Sequence, residues 1–308
     1  MARTDTLRHF LTDVANSIRN KKGTTDTIIA SNFDTEIDSI ETSVGKYAPR
    51  FISFRDYSDY NKTDLDYEIS NIDTSNITDM RSMFNGCTYL TSLDLSNFDT
   101  SNVTDMNSMF NGCQSLTSLV LSSFNTSNVM DMNYMFYNCK YLTSLDLSNF
   151  DTSNVMNMYS MFSGCQSLTS LDLSSFNTSN VSDMHLMFSN CSNLTSLDLS
   201  NFYTSNVMDM RSMFLNCKNL TSLDLSNFDT SNVTDMSSMF QSCLNLTYLD
   251  IRNFDFTKEI YNRSMFYKVP SNCEIIVKDN TAKEWILATR KDLTNVKTVV
   301  EKEAEIVV

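Results

Sequence analysis

The sequence predicts a leucine-rich-repeat solenoid in which parallel β-strands and short helical turns recur every 26 residues. A phenylalanine recurs at this interval without insertion, at Phe98, Phe124, Phe150, Phe176, Phe202, Phe228 and Phe254. Most repeats also contain an LxxLxL segment such as residues 90–95. A unit this short cannot bury its own apolar residues, so neighbouring units must stack around one continuous core.

Each repeat is predicted to contain three short elements. In the LxxLxL segment, Leu93 and Leu95 should face the core and Asp94 the solvent, because side chains alternate along a strand. Residues 102–106 are predicted to form a second short strand, and residues 108–113 one or two helical turns. The connecting turn is expected to use side chains that bond nearby backbone, at Thr100, Ser101 and Asn102.

The chain divides into four predicted segments. They are a helical hairpin over 1–45, an N-terminal cap over 46–72, seven repeats over 73–254 and a C-terminal cap over 255–308. Apolar residues at helical spacing predict the two hairpin helices at 4–22 and 32–44. In the C-terminal cap, strands are expected at 273–277 and 295–300, on either side of a helix at 281–293.

Composition argues against several functions. The formal net charge is −14 and Lys and Arg do not cluster, which argues against nucleic-acid binding. No apolar run is long enough to span a membrane. The N-terminus has no apolar export signal, so we expect the chain to stay in a cytosol or to leave by another route.

Catalysis is not expected. The two histidines, His9 and His185, lie in different segments, and the repeat pattern accounts for the serines and aspartates. We therefore predict that the chain is not an enzyme and has no cofactor, catalytic residue or dedicated metal site. One cysteine per repeat is neither a zinc spacing nor a disulfide framework, and predicts a column of buried free thiols. Two methionine columns, from Met80 to Met236 and from Met83 to Met265, are predicted to be core.

One acidic position recurs on successive predicted strands. This strand ladder consists of Asp94, Asp146, Asp172, Asp198, Asp224 and Asp250, with Val120 as the exception. Like charges about 4.8 Å apart repel by roughly 1 kcal/mol in water. Hydroxyl groups, raised carboxylate pKa values or bound cations could offset that repulsion. The ladder is then either a solvated structural feature or an electronegative face for a cationic partner or Ca²⁺, although no calcium-loop spacing is present.

A second acidic ladder precedes the predicted helical turns. This turn ladder consists of Asp79, Asp105, Asp131, Asp183, Asp209 and Asp235, with Asn157 in the gap. Aspartate at the start of a helical turn accepts hydrogen bonds from free backbone N–H groups. We predict that the turn ladder caps those turns.

One exposed position differs from repeat to repeat. This variable column reads Arg81, Asn107, Asn133, Tyr159, His185, Arg211 and Ser237. The variation reflects either drift on a solvated face or a specific epitope, in which Tyr and Arg would contribute most. The candidate binding surface therefore comprises the six strand-ladder aspartates with Arg81, Tyr159, His185 and Arg211.

The repeat residues resemble a known family. The segment TSNVTDMSSMFQSCLNLTYLDI at 230–251 is similar to the BspA-like leucine-rich repeats of bacterial surface proteins and mycoplasma lipoproteins, and the likeness extends over 73–254. The segment 273–300 is similar to the closing segment of such proteins. This resemblance implies a parallel-strand solenoid and a role in adhesion or recognition, without catalytic residues.

The opening segment carries a second resemblance. Residues 7–40 resemble a short helical segment that opens tail-associated proteins of phages infecting Gram-positive bacteria. It implies a phage-tail protein assembled in the bacterial cytoplasm and joined to other virion proteins through 1–45. The solenoid would then display a surface to a protein or glycan on the host cell, with a homo-oligomer left open.

Two alternatives remain at this point. The chain could be a BspA-like adhesin at the bacterial cell surface, with its export elements outside the sequence given. It could also be an intracellular scaffold that binds proteins.

Overall fold

Each 26-residue repeat forms one turn of a parallel β-solenoid. The computed structural model describes residues 72–306 together with Ile69. Equivalent residues of successive repeats lie side by side, as in the pairing of Leu93 with Leu119 and of Leu223 with Leu249. The predicted solenoid is confirmed. The helices predicted at 4–22 and 32–44, and the cap at 46–72 apart from residues 69 and 72, lie outside the described residues.

The strands of the described region form two parallel sheets. In one, β1 (Ser92–Asp94) pairs with β2 (Ser118–Val120). The other has the order β3-β4-β5-β6, formed by Ser222–Asp224, Tyr248–Asp250, Glu274–Val277 and Val296–Thr298. The equivalent segments at 144–146, 170–172 and 196–198 follow the same path without strand hydrogen bonding. Leu93 and Leu95 are buried and Asp94 is exposed, as predicted.

The second predicted strand is shorter than expected. At 102–106 the strand is reduced to one bridging residue, Asp105, which pairs with Asp79 and Asp131 of the adjacent repeats. Ser108, three residues after the bridge, adopts a left-handed conformation with φ 57°, which is not compatible with a strand. The same isolated bridge recurs along the solenoid up to the pair Asp235 and Tyr261.

The predicted helical turns at 108–113 are instead consecutive tight turns. The backbone N–H groups of Ser108, Phe110 and Gly112 donate to carbonyls of the following repeat, at 2.9, 2.9 and 2.7 Å. Between them, Met109 and Asn111 donate to carbonyls three residues back, at 3.2 and 3.1 Å. A helix would direct every N–H along its own axis, whereas here alternate groups join neighbouring repeats. The prediction of helical turns was therefore wrong, although the segment is tightly wound.

The core consists of columns of identical side chains. Phe84 and Phe110 stack with ring centroids 5.6 Å apart and planes inclined by 4°. This column comprises Phe84, Phe110, Phe136, Phe162, Phe188, Phe214, Phe240 and Phe266. Both methionine columns are fully buried, which confirms their predicted place.

The cysteines form the predicted column of buried thiols. The Sγ atom of Cys113 donates to the carbonyl of Phe84 at 3.1 Å, and the same contact recurs in the following repeats. Burial raises the pKa of these thiols, to about 12 at Cys139, Cys191 and Cys243. The thiols are therefore protonated core groups.

The C-terminal residues continue the sheet and then cover its end. Helix α1 (Asn280–Thr289) is capped by Asp279, whose carboxylate accepts the N–H of Ala282 at 3.0 Å. Trp285 on this helix stacks on Phe256, with ring centroids 4.3 Å apart. The large apolar surface of Trp285 thereby covers core residues beyond the last full repeat.

The strand predicted at 295–300 ends early. Strand β6 stops at Thr298, and helix α2 (Val299–Ile306) follows directly. Thr298 donates its backbone N–H to the Glu301 carboxylate at 2.7 Å, and Glu301 donates its own to the Thr298 hydroxyl at 3.2 Å. This reciprocal capping box fixes a helix start that the β-branched sequence did not indicate.

Candidate binding face

The strand ladder is largely an exposed and hydrogen-bonded feature. Asp94, Asp146, Asp172, Asp198 and Asp224 are exposed. Each accepts the backbone N–H of the serine two residues later, at 2.9 Å for Asp94 and Ser96. Hydrogen bonds from the backbone and hydroxyl of that serine lower the pKa of Asp94. The serine two residues later likewise lowers the pKa of Asp146, Asp172 and Asp198. Of the offsets considered, hydroxyl donors are present, and the pKa values of Asp94, Asp146, Asp172 and Asp198 are lowered and not raised.

Asp250 departs from the rest of the strand ladder because it is fully buried. The Nε atom of Arg252 lies 3.0 Å from both carboxylate oxygens, and a second guanidinium nitrogen also contacts the carboxylate. The Tyr248 hydroxyl donates to the same carboxylate at 3.2 Å. Asp250 therefore holds a buried carboxylate in an ion pair with the partly exposed Arg252, and it is not part of an open acidic face.

The turn ladder is half-buried and acts locally as predicted. Each of its members accepts the backbone N–H of the residue two positions later, as Asp105 does from Asn107 at 2.9 Å. The same bond recurs at positions 79, 131, 157, 183, 209 and 235. Burial raises the pKa of Asp105, Asp131 and Asp209. The turn ladder is thus the acidic column whose charge is less well solvated.

The residue that donates this N–H belongs to the variable column, so the two sets are neighbours. Arg81 forms ion pairs with Asp79 at 2.6 Å and with Asp105 of the next repeat at 3.5 Å. Arg211 pairs with Asp209 at 3.2 Å. The side chains of Asn107 and Asn133 are hydrogen-bonded across repeats. Variable side chains therefore lie against carboxylates and against one another.

An aromatic cluster occupies the middle of the variable column. The rings of Tyr159 and His185 stack with centroids 3.7 Å apart and planes inclined by 17°. Tyr134 packs edge-on against Tyr159 at 4.5 Å and against Tyr137 at 5.3 Å. Sequence reasoning named Tyr159 and His185 but missed Tyr134 and Tyr137. The sequence did mark this position as unusual, because Tyr134 replaces the serine that most repeats have there.

His185 lies between carboxylates of two repeats. Its Nδ1 atom is 2.5 Å from Asp183 Oδ1 and 3.9 Å from Asp209 Oδ2. The side chain of His185 is 12% exposed. Sequence reasoning had assigned Asp183 and Asp209 to capping alone. The sequence does contain a signal for this contact. In every repeat, the variable-column residue follows the turn-ladder residue by two positions, and this spacing recurs every 26 residues.

The candidate residues thus fall into two groups. Arg81, Tyr159, His185 and Arg211 lie with the turn ladder, and the exposed aspartates of the strand ladder lie on another part of each repeat. Within residues 72–306, no hydrogen bond or ion pair joins the strand ladder to the variable column. The variable column and the turn ladder, together with the adjoining Tyr134 and Tyr137, are called the binding face below.

Comparison with known proteins decides the family. The family model described as "Mycoplasma protein of unknown function, DUF285" matches residues 34–145, 119–196 and 192–295. The chain belongs to this family. The DUF285 matches include all seven repeats and agree with the resemblance to mycoplasma lipoprotein repeats. Only the last part of segment 7–40 falls within them, and no match supports the phage-tail resemblance.

Two further comparisons add little to the DUF285 assignment. No curated protein matches the sequence. The crystal structure of the pneumococcal vaccine antigen PcpA is similar at 14% identity, over 73% of this chain and 77% of that chain, with a TM-score of 0.30. That likeness is too distant to bear on function. Over the part of the chain that the structure describes, no helix has the length and apolar character that crossing a membrane requires.

Proposed function

We propose that this DUF285 chain is a non-enzymatic binding protein at a bacterial cell surface. Its binding face recognises another protein, either on the same surface or on a partner cell. One observation carries the proposal. The repeats agree closely at positions that fill the core or bond the backbone, and they differ along the variable column, where adjacent side chains contact one another. A position free of core packing can vary to fit a partner.

The chemistry of the binding face favours a protein partner with basic residues. Tyr134 and Tyr159 offer apolar rings with polar tips, which are common in interface hot spots. Asp131 lies in the repeat of Tyr134, Asp183 lies in the repeat that follows that of Tyr159, and the chain has a net charge of −14. Opposite charge on the partner would steer association. A neutral glycan, the other partner class expected from the sequence, would gain nothing from this charge.

The absence of catalysis remains part of the proposal. The described thiols are buried and carry raised pKa values, which suits core packing better than nucleophilic attack. His185 lies against Asp183 and stacks on Tyr159. No hydrogen bond within the described region places a serine or cysteine on its ring.

The cell-surface location rests on the repeat resemblance to BspA-like surface proteins. A phage-tail role would place the same binding face on a virion, attached through residues 1–45. That role depends on residues 7–40 alone, so we prefer the cell surface. Detection of the chain on intact cells, set against purified phage particles, separates the two locations.

The proposed binding face can be tested by converting its centre to the residues of neighbouring repeats. The double variant Tyr134→Ser and Tyr159→Asn reproduces the pattern at Ser108 and Asn107. We expect it to fold normally and to lose about tenfold or more in affinity for a cell-surface protein identified on an array of extracellular proteins. Tyr141→Ser, at an exposed tyrosine outside the variable column, is the matched control. Equal affinity of the double variant and the wild type would refute the binding face.

A further inference from the structure

Carboxylates of adjacent repeats create a recurrent site for a cation. At the first repeat, the Arg81 guanidinium lies 2.6 Å from Asp79 and 3.5 Å from Asp105, so one positive group bridges two rungs of the turn ladder. Arg211 brings its guanidinium to the same ladder, 3.2 Å from Asp209. In these two repeats the chain supplies its own cation. The position two residues after a turn-ladder aspartate therefore holds a positive group at both Arg81 and Arg211, and at Arg81 that group lies between two repeats.

In the repeat of His185, the same position carries an imidazole. His185 Nδ1 lies 2.5 Å from Asp183 Oδ1 and 3.9 Å from Asp209 Oδ2. One ligand atom from each of the three residues lies within 4.8 Å of the others. The imidazole thus turns a carboxylate pair into a mixed nitrogen and oxygen donor set.

We propose that Asp183, His185 and Asp209 bind a divalent transition-metal ion, with Zn²⁺ as the best fit. Imidazole with carboxylates suits zinc and its neighbours in the first transition row, whereas Ca²⁺ and Mg²⁺ take oxygen ligands. The metal would link two adjacent repeats across the turn ladder. The site lies within the binding face, but metal binding does not require the proposed partner protein.

The geometry needs only a small adjustment. Zinc bonds of roughly 2.1 Å in a tetrahedral site place ligand atoms roughly 3.4 Å apart. The observed separations of 2.5 and 3.9 Å from Nδ1 lie on either side of that value. The carboxylates of Asp183 and Asp209 are 32% and 25% exposed, so they can rotate about their own bonds. Their partial exposure also lets water complete the coordination.

Two neighbours shape the site in opposite ways. Tyr159 stacks on the imidazole at 3.7 Å, and this contact holds the ring plane in place. Arg211 competes, because its Nε atom lies 3.2 Å from the Asp209 oxygen that would bind the metal. Removing Arg211 should strengthen metal binding. If His185 had only a structural role, removing Arg211 would leave the metal affinity unchanged.

The repeats themselves provide the variants for a test. His185→Asn reproduces Asn107 and Asn133, and Arg211→Ser reproduces Ser237. His185→Arg reproduces the internal cation of Arg81. His9→Asn controls for the other histidine of the chain. Each substitution places a residue that the same position already accommodates elsewhere in the chain, apart from His9→Asn, which lies outside the described residues.

The experiment is calorimetric titration of metal-free, full-length chain with Zn²⁺, together with Co²⁺ absorption spectra. We expect one ion per chain and a Co²⁺ spectrum of nitrogen and oxygen ligation without thiolate charge-transfer bands. Both His185→Asn and His185→Arg should weaken Zn²⁺ binding by about tenfold or more. Arg211→Ser should tighten it, and His9→Asn should leave it unchanged.

Several results would overturn the site. Unchanged Zn²⁺ affinity in His185→Asn, with circular dichroism showing a native fold, would exclude His185 as a ligand. Thiolate bands in the Co²⁺ spectrum would assign the ion to cysteines. Weaker binding in Arg211→Ser would contradict the competition at Asp209, and loss of binding in His9→Asn would move the site to the N-terminal segment.

Discussion

At the scale of single residues, a buried threonine shows why one polar side chain recurs in the core. Thr152 donates its hydroxyl to the carbonyl of Asn177 at 2.9 Å and accepts the N–H of Asn177 at 2.8 Å. The same residue is fully buried. One hydroxyl therefore satisfies both backbone groups of a residue in the next repeat. The column comprises Thr74, Thr100, Thr126, Thr152, Thr178, Thr204 and Thr230.

Thr152→Val should destabilise the solenoid by about 1–3 kcal/mol, because it leaves a buried N–H and a carbonyl without their partner at nearly constant volume. Urea denaturation followed by circular dichroism measures the change. Thr143→Val, at an exposed threonine, is the matched control and should differ from the wild type by less than about 0.5 kcal/mol. Equal losses in both variants would show that the inter-repeat bonds of Thr152 contribute nothing.

Asp131 and Asp146 should respond oppositely to removal of charge. Burial raises the pKa of Asp131, so its ionised form weakens the folded state at neutral pH, and that effect fades as pH falls through its folded and then its unfolded pKa. Hydrogen bonds from Ser148 lower the pKa of Asp146, so its ionised form stabilises the fold until pH falls through its folded pKa. Asp131 and Asp146 thus give opposite contributions to acid stability.

Asp131→Asn should therefore raise the free energy of unfolding at pH 7 by on the order of 0.5 kcal/mol, the scale of partly exposed charges. Asn157 occupies the same position in the next repeat and keeps the hydrogen bond to the backbone. The gain should vanish near pH 3. Asp146→Asn should lower stability at pH 7. Urea titrations at both pH values give the comparison, and a loss in Asp131→Asn at pH 7 would contradict the role of burial.

At the scale of the element, left-handed residues shape the run of turns in every repeat. Two positions have positive φ in each copy, as at Ser108 with φ 57° and Gly112 with φ 74°. At the second position, Asn138 and Asn190 take the same conformation as the glycines. Asparagine tolerates it better than most side chains. These left-handed residues lie four positions apart, in the run of turns where every other N–H donates to the next repeat.

At Gly112, the energetic cost of backbone strain can be distinguished from the cost of steric overlap. A Cβ atom at Gly112 would lie no nearer than 3.7 Å to other atoms, so a side chain meets only the conformational penalty. Gly112→Val should cost about 2 kcal/mol or more, since a β-branched residue disfavours positive φ. Gly112→Asn should cost less than half as much. The urea midpoints of both variants measure the difference, and equal midpoints would rule out strain as the cause.

At the scale of the whole molecule, each repeat contacts chiefly its two neighbours. Stacked Phe, Met and Cys columns and bridging Thr and Asn side chains all join residues about one repeat apart. Stability is then a sum of repeats and of the interfaces between them. The length of the solenoid should be adjustable in whole units.

Deletion of residues 150–175, one full period, should leave a folded solenoid with lower stability, because every column remains in register. Deletion of 150–162, half a period, should prevent folding, because it brings core positions opposite polar ones. Circular dichroism, size-exclusion chromatography and urea denaturation distinguish the two outcomes. A folded half-period deletion would show that the register of 26 residues is not required.

The sequence alone determined the solenoid, its period and its core. The constancy of Phe98, Met106 and Cys113 between copies predicts burial because identical residues at a fixed period can stack only if equivalent positions coincide in space. The strand at Ser92–Asp94 followed from alternation of Leu and polar residues. These features depend on the local pattern of apolar and polar residues and on the repeat, and both can be identified from a single sequence.

Only the tertiary structure decided which polar columns meet. The tight turns at 108–113 look helical in sequence, because their apolar spacing is helical and the positive φ of Ser108 leaves no composition signal. Asp183 and His185 meet Asp209 of the next repeat because stacking places residues 26 apart next to each other. The binding face and the metal site proposed there depend on that inter-repeat contact, for which the order of residues within one repeat carries no signal.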